Sequence, residues 1–314
     1  MIKTILGRTG LEVTQIGYGS MGLRGPKTWG VRVVSDEAAD EFLNSVLDAG
    51  INFIDTSWCY QNPFIDASST WRYQSSEEFI GHYIGHRRSE YFISTKCGHF
   101  WNDVSDHSGP QSKNWARDGL LSCIEQSLTR LRTDHVDILQ LHNPTPEEVK
   151  RYDCVSTLQA IQAQGKTRFI GVSTTVPYVE EFLEMGVFDT FQLPYSALEP
   201  EYEKVLGRVA QRGVGTIIRG GVAQGAPVVQ VSDKRSFAEQ KARWEKAGLS
   251  ALAPQLDPME LMLRFTLSHP SAHTVIVGTK NLGHLQANLR AAEKGPLEAQ
   301  LLEAIRAQVA STLE

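Results

Sequence analysis

The sequence predicts an α/β chain folded as one (β/α)8 barrel of the TIM type, with an amino-terminal β-hairpin and long loops on the carboxyl-terminal face of the strands. Three observations carry that expectation. Eight short apolar runs alternate with segments of helical period, the pattern of a parallel sheet with crossover helices. The 314 residues exceed by a modest margin the roughly 250 of such a barrel. No Pro/Gly/Ser-rich linker, charge run or low-complexity stretch divides the chain, so residues 1–314 are expected to form a single domain.

Ile2 to Ile16 alternate roughly and turn at Arg8-Thr9-Gly10, which predicts a hairpin over about residues 1–16, placed to plug or cap the main fold. The eight runs follow: Gln15 to Ser20, Asn52 to Thr56, Tyr91 to Lys96, Val136 to His142, Arg168 to Ser173, Thr190 to Pro194, Gly215 to Arg219 and Thr274 to Gly278. Between them, Ser35-Asp36-Glu37 opens a helix that Gly50 stops. Leu120, Ile124, Leu128 and Leu131 share one helical face. A further helix begins at Pro146, with Glu147 and Glu148 in the first turn where the helix dipole favours them. A last helix is expected over about 296–312, which leaves the substrate pocket open on the carboxyl-terminal side. Gln61 to Gln74, Cys97 to Trp115 and Gly220 to Leu256 are too long for ordinary βα loops, and each follows the carboxyl end of a strand. All three therefore belong on the catalytic face. An open doubly wound sheet carries fewer strands and fits less well.

Composition narrows the function. With 31 basic against 36 acidic side chains the formal charge is -5, which offers no field for a phosphate backbone, so nucleic acid is not an expected partner. No apolar run approaches the ~20 residues of a membrane span, and MIKTILGRTG lacks the apolar core of a signal peptide. Cys59, Cys97, Cys123 and Cys154 are too scattered for a disulfide framework or a zinc motif. A cytoplasmic protein without a metal is the expectation.

Gly17-Tyr18-Gly19-Ser20-Met21-Gly22 satisfies the G-x-G-x-x-G pattern of dinucleotide-binding folds. That pattern works only where a helix opens at once, so that its amino terminus meets the pyrophosphate. Here Leu23-Arg24-Gly25-Pro26-Lys27 follows and the next helix waits until about Ser35. The glycines are better read as a barrel strand ending in a turn.

Asp55, Lys96 and His142 stand at the carboxyl ends of three successive strands, which converge on one mouth in a barrel. Tyr60 follows Asp55 by five residues on the loop above that mouth. An ammonium beside a phenol stabilises phenolate, so Lys96 is expected to lower the Tyr60 pKa from about 10 toward neutrality. Asp55 can hold Lys96 by an ion pair, and His142 can hydrogen-bond an incoming carbonyl. The set fits a proton-transfer site rather than a metal cage or a nucleophile-base pair.

At these positions the sequence resembles the aldo-keto reductases. Asp55-Thr56-Ser57-Trp58-Cys59-Tyr60, Ser94-Thr95-Lys96 and Leu139-Gln140-Leu141-His142 are similar to that family's catalytic segments. Gly171-Val172-Ser173, Gln192 in Phe-Gln-Leu-Pro-Tyr, and Val277-Gly278-Thr279-Lys280 leading to His284 and Asn288 continue the likeness in order, over about Ile2 to Ala292. The resemblance implies hydride transfer between a nicotinamide and an aldehyde, a ketone, or the matching alcohol or sugar, with Tyr60 as general acid. It implies that Ser173 and Gln192 bind the carboxamide and that Arg219 lies against the nicotinamide, where a planar guanidinium can stack. Ser20 and Met21 would border the ribose, and Gly220 and Gly221 would admit the pyrophosphate. Gly278, Thr279, Lys280, His284 and Asn288 would form the anion site before a helix at about Asn281, favouring NADPH, with NADH the other cofactor the residues admit. A second function on the same scaffold is a nucleotide-sensing binding protein similar to the potassium-channel β-subunits.

The chain departs from the family after Tyr60. Gln61 replaces a usual glycine and Asn62 to Tyr73 form an insertion, so Tyr73, before Ser75-Ser76-Glu77-Glu78, is a rival phenol. The spacing from Asp55 favours Tyr60. Trp58 and Trp101 are expected to line the substrate pocket, while Phe64, Trp71 and Trp115 serve equally well as loop anchors. His99 and His107 read as solvated loop histidines, and Cys59 and Cys97 as small core residues beside Tyr60 and Lys96.

Overall fold

In the computed structural model, residues 1–23, 35–65, 71–100, 112–228 and 237–313 are described, with the backbone alone given for 62–65, 71–74 and 313. Trp101 and His107, and the side chains of Phe64, Trp71 and Tyr73, lie outside the described residues.

The chain opens with the antiparallel pair β1 (Lys3–Ile5) and β2 (Glu12–Thr14), in register Lys3↔Thr14 and Ile5↔Glu12. Barrel strands β3 (Ile16–Gly19) and β4 (Phe53–Asp55) follow, with α1 (Asp36–Asp48) between them. Within the Gln61 to Gln74 segment, β5 (Gln61–Ile65) pairs antiparallel with β6 (Trp71–Ser75), which leads into α2 (Ser76–Tyr83). After β7 (Phe92–Cys97) comes a second small antiparallel pair, β8 (His99–Phe100) with β9 (Ser112–Lys113), then α3 (Arg117–Leu131) and β10 (Val136–His142). The alternation continues through α4 (Pro146–Arg151), α5 (Cys154–Ala163), β11 (Thr167–Ser173), α6 (Val179–Met185), β12 (Thr190–Pro194), α7 (Glu203–Gln211) and β13 (Gly215–Arg219). It ends with α8 (Phe237–Ala247), α9 (Pro258–Leu267), β14 (Thr274–Val277), α10 (Leu282–Glu293) and α11 (Ala299–Leu313).

β3, β4, β7, β10, β11, β12, β13 and β14 form one closed parallel barrel, with β14 pairing back on β3 through Val275↔Ile16 and Val277↔Tyr18. Each of the eight expected runs coincides with one of these strands to within one or two residues. Local chemistry sets the helix starts. Ser35 caps α1 by accepting from the Ala38 amide at 3.2 Å, and Ser75 with Glu78 forms a reciprocal capping box on α2. Thr145 and Glu148 do the same on α4, where Pro146 takes the first position.

The hairpin closes the lower end of the barrel. Leu6, Leu11 and Val13 are buried against Phe53, Ile138 and Ile217, which fill the barrel interior below the site. Close approach is possible because Gly7, at φ 50°, faces Gly215: a Cβ on Gly7 would sit 2.3 Å from the Gly215 nitrogen. The larger core lies between strands and helices, where Leu120, Ile124, Leu128 and Leu131 of α3 are all buried.

Candidate active site

Strand register places the chemistry. Asp55 pairs with Ser94, Lys96 with Gln140, and His142 with Ser173 on β11. The loop after β4 keeps bonding to β7: the Thr56 amide donates to Ser94 O at 2.8 Å and the Trp58 amide to Lys96 O at 3.1 Å. This zipping turns Tyr60 back over the mouth. The Tyr60 amide bonds Ser57 O at 3.0 Å, and Tyr60 O accepts from Ser76 at the start of α2.

Lys96 is buried, and its ammonium donates to Asp55 Oδ2 at 2.6 Å, Thr56 O at 2.8 Å and the Tyr60 phenol oxygen at 3.3 Å. Those three bonds use all of its donors. Since the phenol oxygen accepts from Lys96, its own hydrogen is left to be donated elsewhere. Asp55 is held from its other side by the Gln192 amide at 2.7 Å. His142 meets Tyr60 edge-on, with ring centroids 6.1 Å apart, and its Nδ1 lies 3.3 Å from Ser57 Oγ.

Burial disfavours the Lys96 ammonium, but the Asp55 carboxylate and Tyr60 outweigh it and hold the pKa above its ordinary value. For Tyr60 the balance corrects the sequence expectation. Removal from water pushes the phenol up, the Lys96 charge only partly pulls it back, and the net shift is upward. Tyr60 is therefore a neutral phenol, a proton donor. Burial, reinforced by His99 and Lys96, pushes His142 well below the usual imidazole range, so it too is neutral.

The other predicted residues ring the same mouth. Ser173 ends β11 and Gln192 lies in β12; both are buried. Arg219 ends β13, and its Nε is buried without a hydrogen-bond partner among the described residues. Ser20, just past β3, is wholly buried with its Oγ likewise unpartnered, and Met21 beside it is half-buried. Gly221 packs where a Cβ would come within 2.7 Å of Val275. Past β14, a Cβ on Gly278 would stand 3.5 Å from Gly19 O; Thr279 Oγ1 accepts from the Asn281 amide, and Asn281 caps α10 through the His284 amide at 3.0 Å. Lys280 is half-buried, His284 is exposed, and Asn288 follows one turn along α10.

Two expectations change. Trp58 is a prop rather than an open pocket wall: only 7% exposed, it donates from Nε1 to Gln126 on α3 at 3.1 Å and lies under the Arg130 guanidinium. His99 is no solvated loop residue, since it stacks on His142 with ring centroids 4.3 Å apart. Gly98 makes this possible. At φ 98° its missing Cβ would overlap the Trp115 ring, so the chain can turn from Lys96 back toward the mouth only with glycine there.

Residues that sequence patterns missed hold the tyrosine loop. Arg130 on α3 donates to Trp58 O at 3.2 Å and Gln61 Oε1 at 3.0 Å, and meets the buried Glu77 at 3.5 Å. Thr95 donates to Glu77 at 2.6 Å. Asn143, directly after His142, accepts from Ser173 Oγ at 3.4 Å; its place after a strand-end histidine was the available signal.

The family model of the aldo/keto reductases matches residues 15–310. The chain belongs to the aldo/keto reductase family. It is 25% identical to the uncharacterized oxidoreductase YqkF of Bacillus subtilis over 98% of this chain and 96% of that protein. It is 28% identical to the aldo-keto reductase YhdN of the same organism, over 91% and 87% of the two chains. The structure of aldo-keto reductase AKR11C1 from Bacillus halodurans in its holo form has the same fold, with a TM-score of 0.78 at 24% identity over 99% of this chain and 96% of that one. As an aldo/keto reductase the chain is an oxidoreductase of carbonyl compounds that uses a nicotinamide cofactor. Among the described residues no helix is long and apolar enough to cross a membrane.

Proposed function

We propose that residues 1–314 act as one domain that reduces an aldehyde or ketone, or oxidises the matching alcohol or sugar, with NADPH as cofactor and Tyr60 as the general acid. The observation that carries this is the Lys96 to Tyr60 hydrogen bond of 3.3 Å, in which the phenol oxygen accepts and its proton remains available. A nicotinamide bound at the mouth supplies the hydride. The orphaned Ser20 Oγ and Arg219 Nε, at the ends of β3 and β13, are buried polar atoms of the kind such a group would satisfy. Ser173 on β11 and Gln192 on β12 continue the ring of strands beyond Arg219 on β13, where the carboxamide would be held.

In reduction, Tyr60 gives its proton to the carbonyl oxygen as negative charge develops there, and the Lys96 ammonium stabilises the phenolate left behind. Asp55 fixes Lys96 through the 2.6 Å ion pair. Neutral His142 orients the carbonyl by a hydrogen bond. In oxidation the same groups run in reverse, with phenolate as base. Preference for NADPH rests on Thr279, Lys280, His284 and Asn288 around the amino terminus of α10, where the helix dipole and a lysine favour a phosphate.

Fluorescence titration with NADPH and NADH, followed by an aldehyde, ketone and sugar panel monitored through cofactor absorbance, tests the proposal. Binding of NADPH tighter than NADH, with turnover of at least one carbonyl class, is expected. Failure to bind either cofactor refutes it.

A further inference from the structure

Beside Asp55, Tyr60 and Lys96, three side chains of types that can ligate a metal, His142 among them, converge from separate walls of the mouth. Cys59 comes from the loop after β4, His99 from β8 and His142 from the end of β10; one ligand atom from each lies within 4.8 Å of the other two. Cys59 is buried, and His99 and His142 are both half-buried. We propose that Cys59, His99 and His142 form a binding site for a zinc(II) ion that competes with carbonyl substrates. The competition, though not the site, rests on the function proposed above.

The donor set is one thiolate and two imidazoles. Such a mixture suits borderline-soft zinc, whereas calcium and magnesium require oxygen ligands. Zinc bonds of ~2.3 Å to sulfur and ~2.0 Å to nitrogen at tetrahedral angles place donor atoms about 3.3–3.6 Å apart. Cys59 Sγ and His142 Nδ1 stand at 3.4 Å, already that spacing. The 4.8 Å outer limit for the set leaves the third donor to close by about an ångström. His99 can supply that movement by tilting out of its stack on His142, a rotation of side-chain torsions.

One surrounding feature supports the site. Ser57 Oγ lies 3.3 Å from Cys59 Sγ and 3.3 Å from His142 Nδ1, where a hydroxyl would hydrogen-bond the coordinated sulfur and fix its direction. Lys96, whose charge reaches His142, is paired with Asp55 at 2.6 Å, and a zinc-bound Cys59 thiolate would offset part of the positive charge gathered there. Binding converts the Cys59 thiol to a zinc-bound thiolate and releases its proton to water, with no change of oxidation state. Three protein ligands leave a fourth position for water. With its Nδ1 tied to the ion, His142 can no longer turn to orient a carbonyl, and the ion stands where the substrate would enter.

Equilibrium dialysis of chelator-stripped protein against zinc, with metal analysis and without cofactor or substrate, tests the site directly. One zinc per chain is expected, and cobalt(II) in its place should show a thiolate-to-metal charge-transfer band. Cys59→Ser and His99→Gln should each weaken zinc binding at least tenfold, with circular dichroism verifying that each variant is folded. In turnover assays zinc should raise KM while leaving kcat near its metal-free value, and EDTA should reverse the effect. Failure to bind stoichiometric zinc, binding unchanged in both variants, or bound zinc without effect on KM would overturn the proposal. Absence of turnover in metal-free protein would instead refute the carbonyl reductase function, on which the dialysis result does not depend.

Discussion

Gln192 donates its side-chain amide to Asp55 at 2.7 Å, joining β12 to β4 across the full width of the barrel. In the closed order of eight strands these two are diametrically opposed. Asp55 therefore carries Lys96 on one oxygen and Gln192 on the other, and the position of Lys96 is braced from the far wall.

Gln192→Leu should lower kcat about tenfold or less while shifting KM little, because Asp55 loses a hydrogen bond but keeps its ion pair. The buried carboxylate left short of a donor should cost about 1–3 kcal/mol in urea unfolding. An unchanged stability would show that Asp55 does not depend on the amide.

On the proposed function, Tyr60→Phe removes the general acid while leaving the residues proposed to hold the cofactor in place. Carbonyl reduction should fall by at least ~100-fold, the lower range for losing a general acid, while the NADPH dissociation constant stays within about twofold. Tyr73→Phe should retain activity. Loss of turnover in Tyr73→Phe alone would move the role to that residue.

The directions of the two perturbed pKa values set the pH profile. Tyr60 is raised above the ordinary phenol value, so its donor form persists through neutral and mildly alkaline pH. His142 is lowered, so its neutral form persists into mildly acidic pH. The kcat/KM for reduction should be flat across about pH 7 to 9, an interval inside the ordinary imidazole value of ~6.5 and phenol value of ~10. Oxidation, which needs the phenolate, should rise with pH over the same interval. A bell centred near neutrality for reduction would contradict both assignments.

Arg130 pairs with Glu77, which is fully buried, and ties it to the tyrosine loop. Arg130→Met takes the countercharge from that carboxylate, which keeps the Thr95 hydroxyl, and should cost up to about 3–5 kcal/mol in chemical denaturation, together with much of the activity. Glu77→Gln combined with Arg130→Met should recover a large part of the stability. The double variant being no better than the single one would place the loss in packing instead.

Much of this architecture was legible in the sequence because it is carried by local periodicity. The barrel strands are apolar runs flanked by helical pattern, and Asp55, Lys96 and His142 are strand-end residues whose convergence follows from barrel closure alone. The β5–β6 pairing was not legible: Pro63 and a polar insertion conceal a pair of strands outside the barrel, where a missing amide donor is tolerated at an edge. Arg130 with Glu77, and Cys59 with His99 and His142, are meetings of residues some 40 to 85 positions apart, and such contacts leave no local signature. The upward shift of Tyr60 escaped for the same reason, since it depends on how much water the finished loop excludes.

The joint between β14 and β3 fixes an order on synthesis. Ile16 and Tyr18 precede their partners Val275 and Val277 by some 260 positions, on the order of tens of seconds at typical elongation rates. Through that interval β3 presents an open strand edge, a surface prone to pairing with other chains. The growing polypeptide must be shielded there until the ring can shut, so the seam between its earliest and latest strands is the point at which crowded or overproduced chains should first go astray.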